Sequence, residues 1–251
     1  MDEGIVCGLH AVLAALRQHP DRVAAVWISA ERADRRIGQV VDAARVNRVK
    51  FHRVPRAKLD EMAEGQRHQG VVARILAAST RRSQDLESFI AGLTRPPLLL
   101  VLDGVQDPHN LGACLRVADG AGANAVVIPR DRAAPLTAAA RRAASGAAET
   151  VPLFQVINLS RTLETLKQSG LWLYGAAQDA TEELYAADFA GPTALVLGGE
   201  ESGLRRLTRE RCDKLVRIPM LGKVESLNVS VAAGVMLYEA IRQRRGGLRR
   251  P

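Results

Sequence analysis

The spacing of apolar residues divides the first third of the chain into short alternating elements. Apolar residues recur at helical spacing over residues 8–18, whereas Val23–Ser29 is an apolar run of the length typical of a buried strand. Pro20 ends the first helix. The alternation continues and predicts helices over 8–18, 31–46 and 58–63 and strands over 23–29, 49–54 and 70–76. We therefore expect a small α/β sandwich over residues 1–77.

A small, polar segment interrupts this pattern. Residues 77–84 read Ala-Ala-Ser-Thr-Arg-Arg-Ser-Gln and follow neither the helical nor the strand period. A short helix is predicted over 86–91, and Pro96 and Pro97 follow it. We expect residues 78–95 to be a linker between the first domain and a second one over 96–251.

A longer alternation begins at Leu98. It predicts strands over 98–102, 125–128, 151–156, 171–176, 193–197 and 215–218 and helices over 111–118, 136–144, 159–167 and 227–244. Strands rich in Val, Leu and Ile that alternate with helices predict a parallel sheet covered on both faces. Residues 229–237 are apolar almost all round the last helix, so we expect the core and a second subunit to cover it.

Composition narrows the class of protein. The 251 residues are 47% hydrophobic and 25% charged, which is typical of a globular protein and excludes extensive disorder. The formal net charge is +8, and both halves of the chain share the excess, which favours a polyanionic partner such as nucleic acid. No apolar run approaches the ~20 residues that cross a bilayer, so no membrane partner is predicted.

Cysteine and histidine usage predicts neither disulfides nor a metal site. Cys7, Cys114 and Cys212 are widely spaced, no C-x-x-C pair occurs, and the five histidines are scattered. The acidic start, Met1-Asp2-Glu3, differs from the basic start of a secretory signal. A cytoplasmic location is expected.

Three common nucleotide and hydrolase motifs are missing from the sequence. It contains no G-x-x-x-x-G-K-[ST] loop and no G-x-S-x-G elbow. Gly120 and Gly122 follow a predicted helix instead of a strand, which is the reverse of the dinucleotide-binding arrangement.

Polar residues gather instead in three segments, each at the carboxyl end of a predicted strand. Open parallel sheets bind ligands at that edge, so we expect the ends of three adjacent strands to converge into one cleft. In the first segment, 107–116, Asn110 stands where the helix begins and is suited to cap it. Arg116 is either a solvated arginine or a bidentate phosphate ligand.

The other two segments carry glycines beside polar side chains. In 198–204, Gly198 and Gly199 follow an apolar strand and permit close approach of a ligand to the backbone. The Glu200 carboxylate can accept a hydrogen bond from a hydroxyl or an amine of that ligand. Glu201 is interpreted as a solvated acid. In 218–230, either Ser226 or Asn228 can cap the last helix, yet this segment holds more polar groups than a cap needs.

Taken together, the three segments resemble the signature blocks of the SpoU (TrmH-like) branch of the SPOUT RNA 2′-O-ribose methyltransferases. The matches are D-P-x-N-x-G-x-x-x-R at 107–116, G-x-E-x-x-G-L at 198–204 and I-P-M-x-G-x-x-x-S-L-N-V-S at 218–230. Residues 8–12 and 68–70 are similar to the small, ribosomal-protein-like domain that many members use to bind substrate RNA. Within the branch, the resemblance is strongest to bacterial enzymes that methylate a guanosine of 23S rRNA.

The resemblance implies a fold, a methyl donor and an assembly. The expected catalytic domain is a parallel α/β SPOUT sheet with a carboxyl-terminal trefoil knot, in a homodimer that binds 23S rRNA. S-adenosyl-L-methionine is expected at Gly198, Gly199, Glu200, Ile218, Met220, Gly222, Ser226 and Leu227. The catalytic residues implied are Arg116, Asn110, Glu200, Ser226 and Asn228.

Two alternatives remain open from the sequence. The first is a tRNA ribose methyltransferase of the same branch, whose members often lack the separate amino-terminal domain and carry basic terminal extensions. The second is a non-catalytic RNA-binding assembly factor, which would not need all five of the implied catalytic residues. The presence of residues 1–77 and the short basic tail over 242–250 favour the rRNA enzyme.

Overall fold

The chain forms two compact units. The computed structural model describes residues 3–76, 80–82, 85–200 and 202–246. The smaller unit comprises Met1–Ser79 and Ala144–Thr150, and the larger comprises Thr80–Ala143 and Val151–Pro251. Ala77, parts of the predicted linker (78, 79, 83 and 84), Glu201 and the end of the basic tail lie outside the described residues.

The smaller unit is built on a four-stranded mixed sheet with the order β1-β4-β2-β3. β1 and β2 pair antiparallel with β4, and β3 pairs parallel with β2. Helices α1 and α2 cover one face of this sheet, and α3 packs against the other. The elements are β1 (Glu3–Cys7), α1 (Leu9–Gln18), β2 (Val23–Ser29), α2 (Arg35–Val46), β3 (Phe51–Val54), α3 (Arg56–Ala63) and β4 (Val71–Leu76).

Two sequence predictions for this unit are wrong in detail. The first strand was not predicted, because five residues that include Gly4 carry little periodicity and the strand is defined by β4, far along the chain. The second helix begins at Arg35, because the Asp34 carboxylate caps it by accepting from the Arg36 and Ile37 amides at 3.0 and 3.3 Å. Residues 31–33 therefore belong to the preceding loop.

The larger unit confirms the predicted parallel α/β architecture. Its eight strands follow the order β10-β12-β9-β11-β6-β7-β8-β5, and all neighbours are parallel. The strands are β5 (Arg81–Arg82), β6 (Leu98–Asp103), β7 (Ala125–Pro129), β8 (Leu153–Val156), β9 (Trp172–Ala176), β10 (Glu182–Glu183), β11 (Thr193–Gly198) and β12 (Lys214–Arg217). The helices of this unit are α4 (Leu86–Ala91), α5 (Pro108–Ala121), α6 (Ala138–Ala144), α8 (Leu159–Gln168), α9 (Arg206–Arg211) and α10 (Val229–Gly246), whereas α7 (Ala147–Thr150) belongs to the smaller unit and packs against α1.

Both faces of this sheet are covered, as the apolar strands predict. Leu99 and Val101 of β6 lie in a core with residues of α4 and α8. The alternate β6 residues, Leu98, Leu100 and Leu102, point to the opposite face and are also buried. On the described part of the chain, α10 packs against α5 and β11.

Strand order corrects the expectation that three adjacent strands carry the site. β6 and β11 are neighbours, but β9 lies between β11 and β12. The short elements β5, β10, α7 and α9 were also not predicted, because two to six residues are too few for a period to appear. The carboxyl-terminal knot stays a prediction.

Helix α10 is apolar in sequence but not wholly covered within one chain. Val229, Ala233, Met236 and Leu237 are buried. Val231 and Tyr238, in contrast, are 51% and 54% exposed. None of the described helices combines the length and the apolar character needed to cross a bilayer.

The end of α10 is fastened to the sheet by one arginine. The Arg244 guanidinium donates to the carbonyl oxygens of Pro96 and Pro97 before β6, each at 2.9 Å. It also donates to the carbonyl oxygens of Phe189 and Gly191 before β11, at 3.0 and 2.6 Å. Partial burial lowers the pKa of this guanidinium below its usual value.

Replacing Arg244 by Met should lower the free energy of unfolding of the larger unit by about 1–3 kcal/mol, because four carbonyl oxygens each lose one hydrogen-bond donor. Urea unfolding followed by Trp172 fluorescence in a Trp27→Phe background measures this unit alone. The control is Arg245→Met, which removes an exposed guanidinium with no partner among the described residues. That change should cost less than about 0.5 kcal/mol, and equal midpoints for the two variants would contradict the role given to Arg244.

Candidate active site

An open cleft of about 750 Å³ lies at the carboxyl edge of the larger sheet. The segments that follow β9, β11 and β12 form its walls, and the start of α10 closes one side. Seven of the eight residues predicted to bind the methyl donor line it: Gly198, Gly199, Glu200, Ile218, Met220, Ser226 and Leu227. Gly222 lines a neighbouring cavity of about 490 Å³ that shares Ile218 and Met220 with the first.

The two glycines at the end of β11 are required because other backbone segments pass very close to them. A Cβ atom on Gly198 would lie 1.9 Å from the carbonyl carbon of Gly203, and one on Gly199 would lie 2.5 Å from the carbonyl oxygen of Gly104. The Gly203 amide donates to the Gly199 carbonyl at 3.0 Å. The chain therefore folds back on itself here, and no larger residue fits at either position.

A buried carboxylate that the sequence analysis missed holds this loop in place. Asp103 ends β6 and its side chain is fully buried. It accepts hydrogen bonds from the Arg205 backbone amide at 3.0 Å and from the Arg205 guanidinium. Its backbone carbonyl accepts from the Gly199 amide at 3.0 Å. The only sequence signal was one acid at the end of an otherwise apolar strand, which alone does not identify its partner.

Three predicted catalytic residues from separate segments meet in one hydrogen-bond chain. The Asn110 Nδ2 group donates to Glu200 Oε1, and Asn110 Oδ1 accepts from Asn228 Nδ2 at 3.0 Å. The capping role considered for Asn110 is wrong, because Asp107 caps α5 by accepting from the His109 amide at 2.9 Å. Asn110 lies one turn further on, where its amide is free to join the other two segments.

Asn228 has a capping contact and a site contact at once. Its Oδ1 atom accepts from the Ser230 amide at 2.9 Å and from the Ser230 hydroxyl at 2.6 Å, at the start of α10. Its Nδ2 group remains for Asn110. Ser226 is exposed and lines the cleft. Among the described residues, the Ser226 hydroxyl has no hydrogen-bond partner and is available to a ligand.

Arg116 lies apart from this chain of hydrogen bonds. It is exposed on α5, six residues after Asn110, or about 9 Å further along the helix axis. Within the part of the chain that the structure describes, it has no hydrogen-bond or ion-pair partner. An unpaired, permanently charged guanidinium of this kind is suited to a phosphate.

One cysteine and one ion pair also lie close to residues of the site. Burial and the nearby Glu200 carboxylate raise the pKa of the Cys114 thiol to about 12, so it is no nucleophile at neutral pH. An ion pair at the edge of the cleft joins Arg209 and Asp179 through contacts of 2.9 and 2.8 Å. The described residues contain no group of three or more His, Cys, Asp or Glu side chains arranged to hold a metal ion.

Comparison with known proteins gives the family. The SpoU rRNA Methylase family matches residues 97–238, and the family described as RNA 2′-O ribose methyltransferase substrate binding matches residues 5–80. The 23S rRNA (guanosine-2′-O-)-methyltransferase RlmB of Pseudomonas syringae pv. tomato is 53% identical over 239 residues, covering 95% of each chain.

Two solved structures have the same fold over nearly the whole chain. A crystal structure described as an RNA 2′-O ribose methyltransferase superposes with a TM-score of 0.72 at 28% identity, covering 97% of this chain and 89% of the other. The SpoU methyltransferase AviRb from Streptomyces viridochromogenes, in complex with AdoMet, superposes with a TM-score of 0.75 at 24% identity. The alignment with AviRb covers 98% of this chain and 92% of AviRb. The chain therefore belongs to the SpoU rRNA methylase family.

Proposed function

We propose that this chain transfers a methyl group from S-adenosyl-L-methionine to the ribose 2′-hydroxyl of a guanosine in 23S rRNA. The observation that carries the proposal is the hydrogen-bond chain Glu200–Asn110–Asn228, which joins the three signature segments beside one cleft. The RlmB relative, which is 53% identical over 95% of each chain, supports the choice of guanosine and of 23S rRNA.

The cleft fits the proposed methyl donor. Its volume lies within the ~300–1,000 Å³ usual for small-molecule sites, and it combines apolar and hydrogen-bonding walls. Ile218, Met220 and Leu227 offer apolar surface to an adenine ring, whereas Glu200 and Ser226 offer acceptors and a hydroxyl. S-adenosyl-L-methionine, when bound, supplies an electrophilic methyl group on a sulfonium.

The residues of the chain position and polarise the attacking sugar. Glu200 and Asn228 are held by Asn110, so their polar atoms are fixed before RNA binds, and such alignment is worth up to ~7–11 kcal/mol of a reaction barrier. Arg116 binds a phosphate beside the target ribose and stabilises the oxyanion that develops on the 2′-oxygen. A guanidinium stays protonated in proteins, so the phosphate or a water takes the hydroxyl proton.

The proposal also includes an oligomeric state, the homodimer, and a location, the cytoplasm. The half-exposed Val231 and Tyr238 of α10 form the centre of a homodimer interface in the cytoplasm. Residues 1–77 contribute RNA binding, in agreement with the substrate-binding family that matches residues 5–80. No metal ion takes part in the proposed reaction.

Substituting Arg116 by Ala should reduce methyl transfer at least 100-fold, because the oxyanion and the phosphate lose their cation. Binding of S-adenosyl-L-methionine, measured by calorimetry, should stay within severalfold. Arg161→Ala is the matched control, since it also removes an exposed arginine. Arg161 lies at the start of α8, and this helix covers the face of the larger sheet opposite to α5. Equal loss of donor binding and methyl transfer in the Arg116 variant would refute its assigned role.

Changing Asn110 to Asp should impair methyl transfer more than Asn110→Ala at pH 8. The aspartate sets a carboxylate against Glu200, and two such groups repel unless they share a proton. Lowering the pH toward 6 should therefore restore part of the activity of the Asp variant and none of the Ala variant. A pH–rate profile of both variants measures this, and parallel profiles would argue against direct contact between Asn110 and Glu200.

Methyl transfer to separate RNA classes tests the proposal directly. Purified chain, labelled S-adenosyl-L-methionine and either 23S rRNA or bulk tRNA should give label only in the 23S reaction, at a ribose 2′-oxygen of guanosine. Label in tRNA alone would establish the tRNA enzyme instead. Donor binding without transfer to either RNA, under conditions that support a known methyltransferase, would favour a non-catalytic assembly factor.

A further inference from the structure

The two faces of the smaller sheet differ in how they are covered. Helices α1 and α2 bury one face completely in an apolar core. On the other face, α3 packs Leu59 and Ala63 against only part of the surface, next to Val72. Trp27 is partly buried at the edge of this contact, and His52 beyond it is exposed.

Three flat side chains run across adjacent strands on this second face. Trp27 of β2 is opposite His52 of β3 in register, and their rings are stacked with centroids 5.8 Å apart and planes inclined by 27°. Arg74 of β4 places its guanidinium carbon 5.3 Å from the centre of the Trp27 ring. The order β4-β2-β3 therefore gives a continuous row of guanidinium, indole and imidazole.

Two cations, Lys50 and Arg74, flank this row. Val49 and Phe51 pack against the opposite core, so strand alternation puts Lys50 on the same face as His52, and Lys50 is exposed. Ile5, opposite Arg74 in register, is 38% exposed and extends the flat surface. The described acids on this side of the sheet lie on or directly after α3: Asp60 contacts His68, Glu61 pairs with Lys58, and Glu64 lies near Cys7.

We propose that unpaired bases of a single-stranded RNA segment stack on the exposed outer face of His52 and so extend this row, in which Trp27 already lies between Arg74 and His52. These three residues and Lys50 are called the stacking platform. Bases stack on aromatic rings and on guanidinium planes irrespective of sequence, and nearby cations neutralise the phosphates between them. Paired bases in a duplex do not present their faces, so the platform selects loops. This inference rests on the proposed function, because it gives the same RNA a second contact besides Arg116.

Tryptophan fluorescence of the full chain tests the platform. The protein has two tryptophans, so a Trp172→Phe variant reports Trp27 alone. A short unstructured oligoribonucleotide should quench its emission saturably, and the same sequence annealed to its complement should quench much less. The reciprocal Trp27→Phe variant leaves only Trp172 and should show no quenching under the same titration.

Affinity measurements on surface variants keep the test independent of folding defects. His52→Ala should weaken binding of the single strand at least five-fold, as expected for about 1 kcal/mol of base stacking, and should raise KM for 23S rRNA. Lys50→Gln removes a platform cation, and Arg17→Gln is its matched control, since Arg17 is exposed on α1 over the opposite face. Lys50→Gln should weaken binding more than Arg17→Gln.

The outcomes separate this inference from the proposed function. Unchanged Trp27 emission with RNA, or equal affinities of the His52→Ala and Arg17→Gln proteins, would overturn the platform. That result would hold even if the unaltered protein methylates 23S rRNA normally. Quenching and a His52-dependent affinity without any methyl transfer would support the platform while refuting the proposed activity.

Discussion

The carboxamide of Asn110 is the group on which the site depends. A carboxamide has both donor and acceptor atoms, so one side chain satisfies the Glu200 carboxylate and the Asn228 amide together. Each bond contributes only about 1 kcal/mol to stability. Their importance is geometric, because they connect the first turn of α5, the glycine loop that follows β11 and the segment that precedes α10.

These contacts are useful only because the surrounding backbone is fixed. Asp103 is buried at the end of β6, and leaving a buried carboxylate unpaired costs several kcal/mol, so Arg205 and the loop before it are held against the sheet. At the far end of α10, Arg244 ties the helix to the starts of β6 and β11. The cleft therefore lies at the edge of the sheet that Asp103 and Arg205 hold, and Arg244 fastens α10 at the opposite edge.

The proposed RNA contacts use two kinds of chemistry. Arg116, which has no partner among the described residues, is a cation suited to a backbone phosphate, and such a contact gives affinity and position but reads no base. The stacking platform offers flat surfaces that bind only bases released from pairing. Together they would favour a looped RNA over a regular duplex, whereas the charge excess by itself attracts any polyanion.

The sequence by itself determined the alternation of strands and helices, the parallel architecture of the larger unit and the three segments that carry polar groups. These features are local, since periodicity reports which side of an element is buried and glycine or asparagine reports a backbone constraint. Only the tertiary structure decided that β9 separates β11 from β12, that β1 completes the smaller sheet and that Asp103 binds Arg205. It also decided between two roles for Asn110, because Asp107 caps α5 and leaves the Asn110 carboxamide to Glu200 and Asn228. Partners about 100 residues apart are chosen by packing, which no local pattern records.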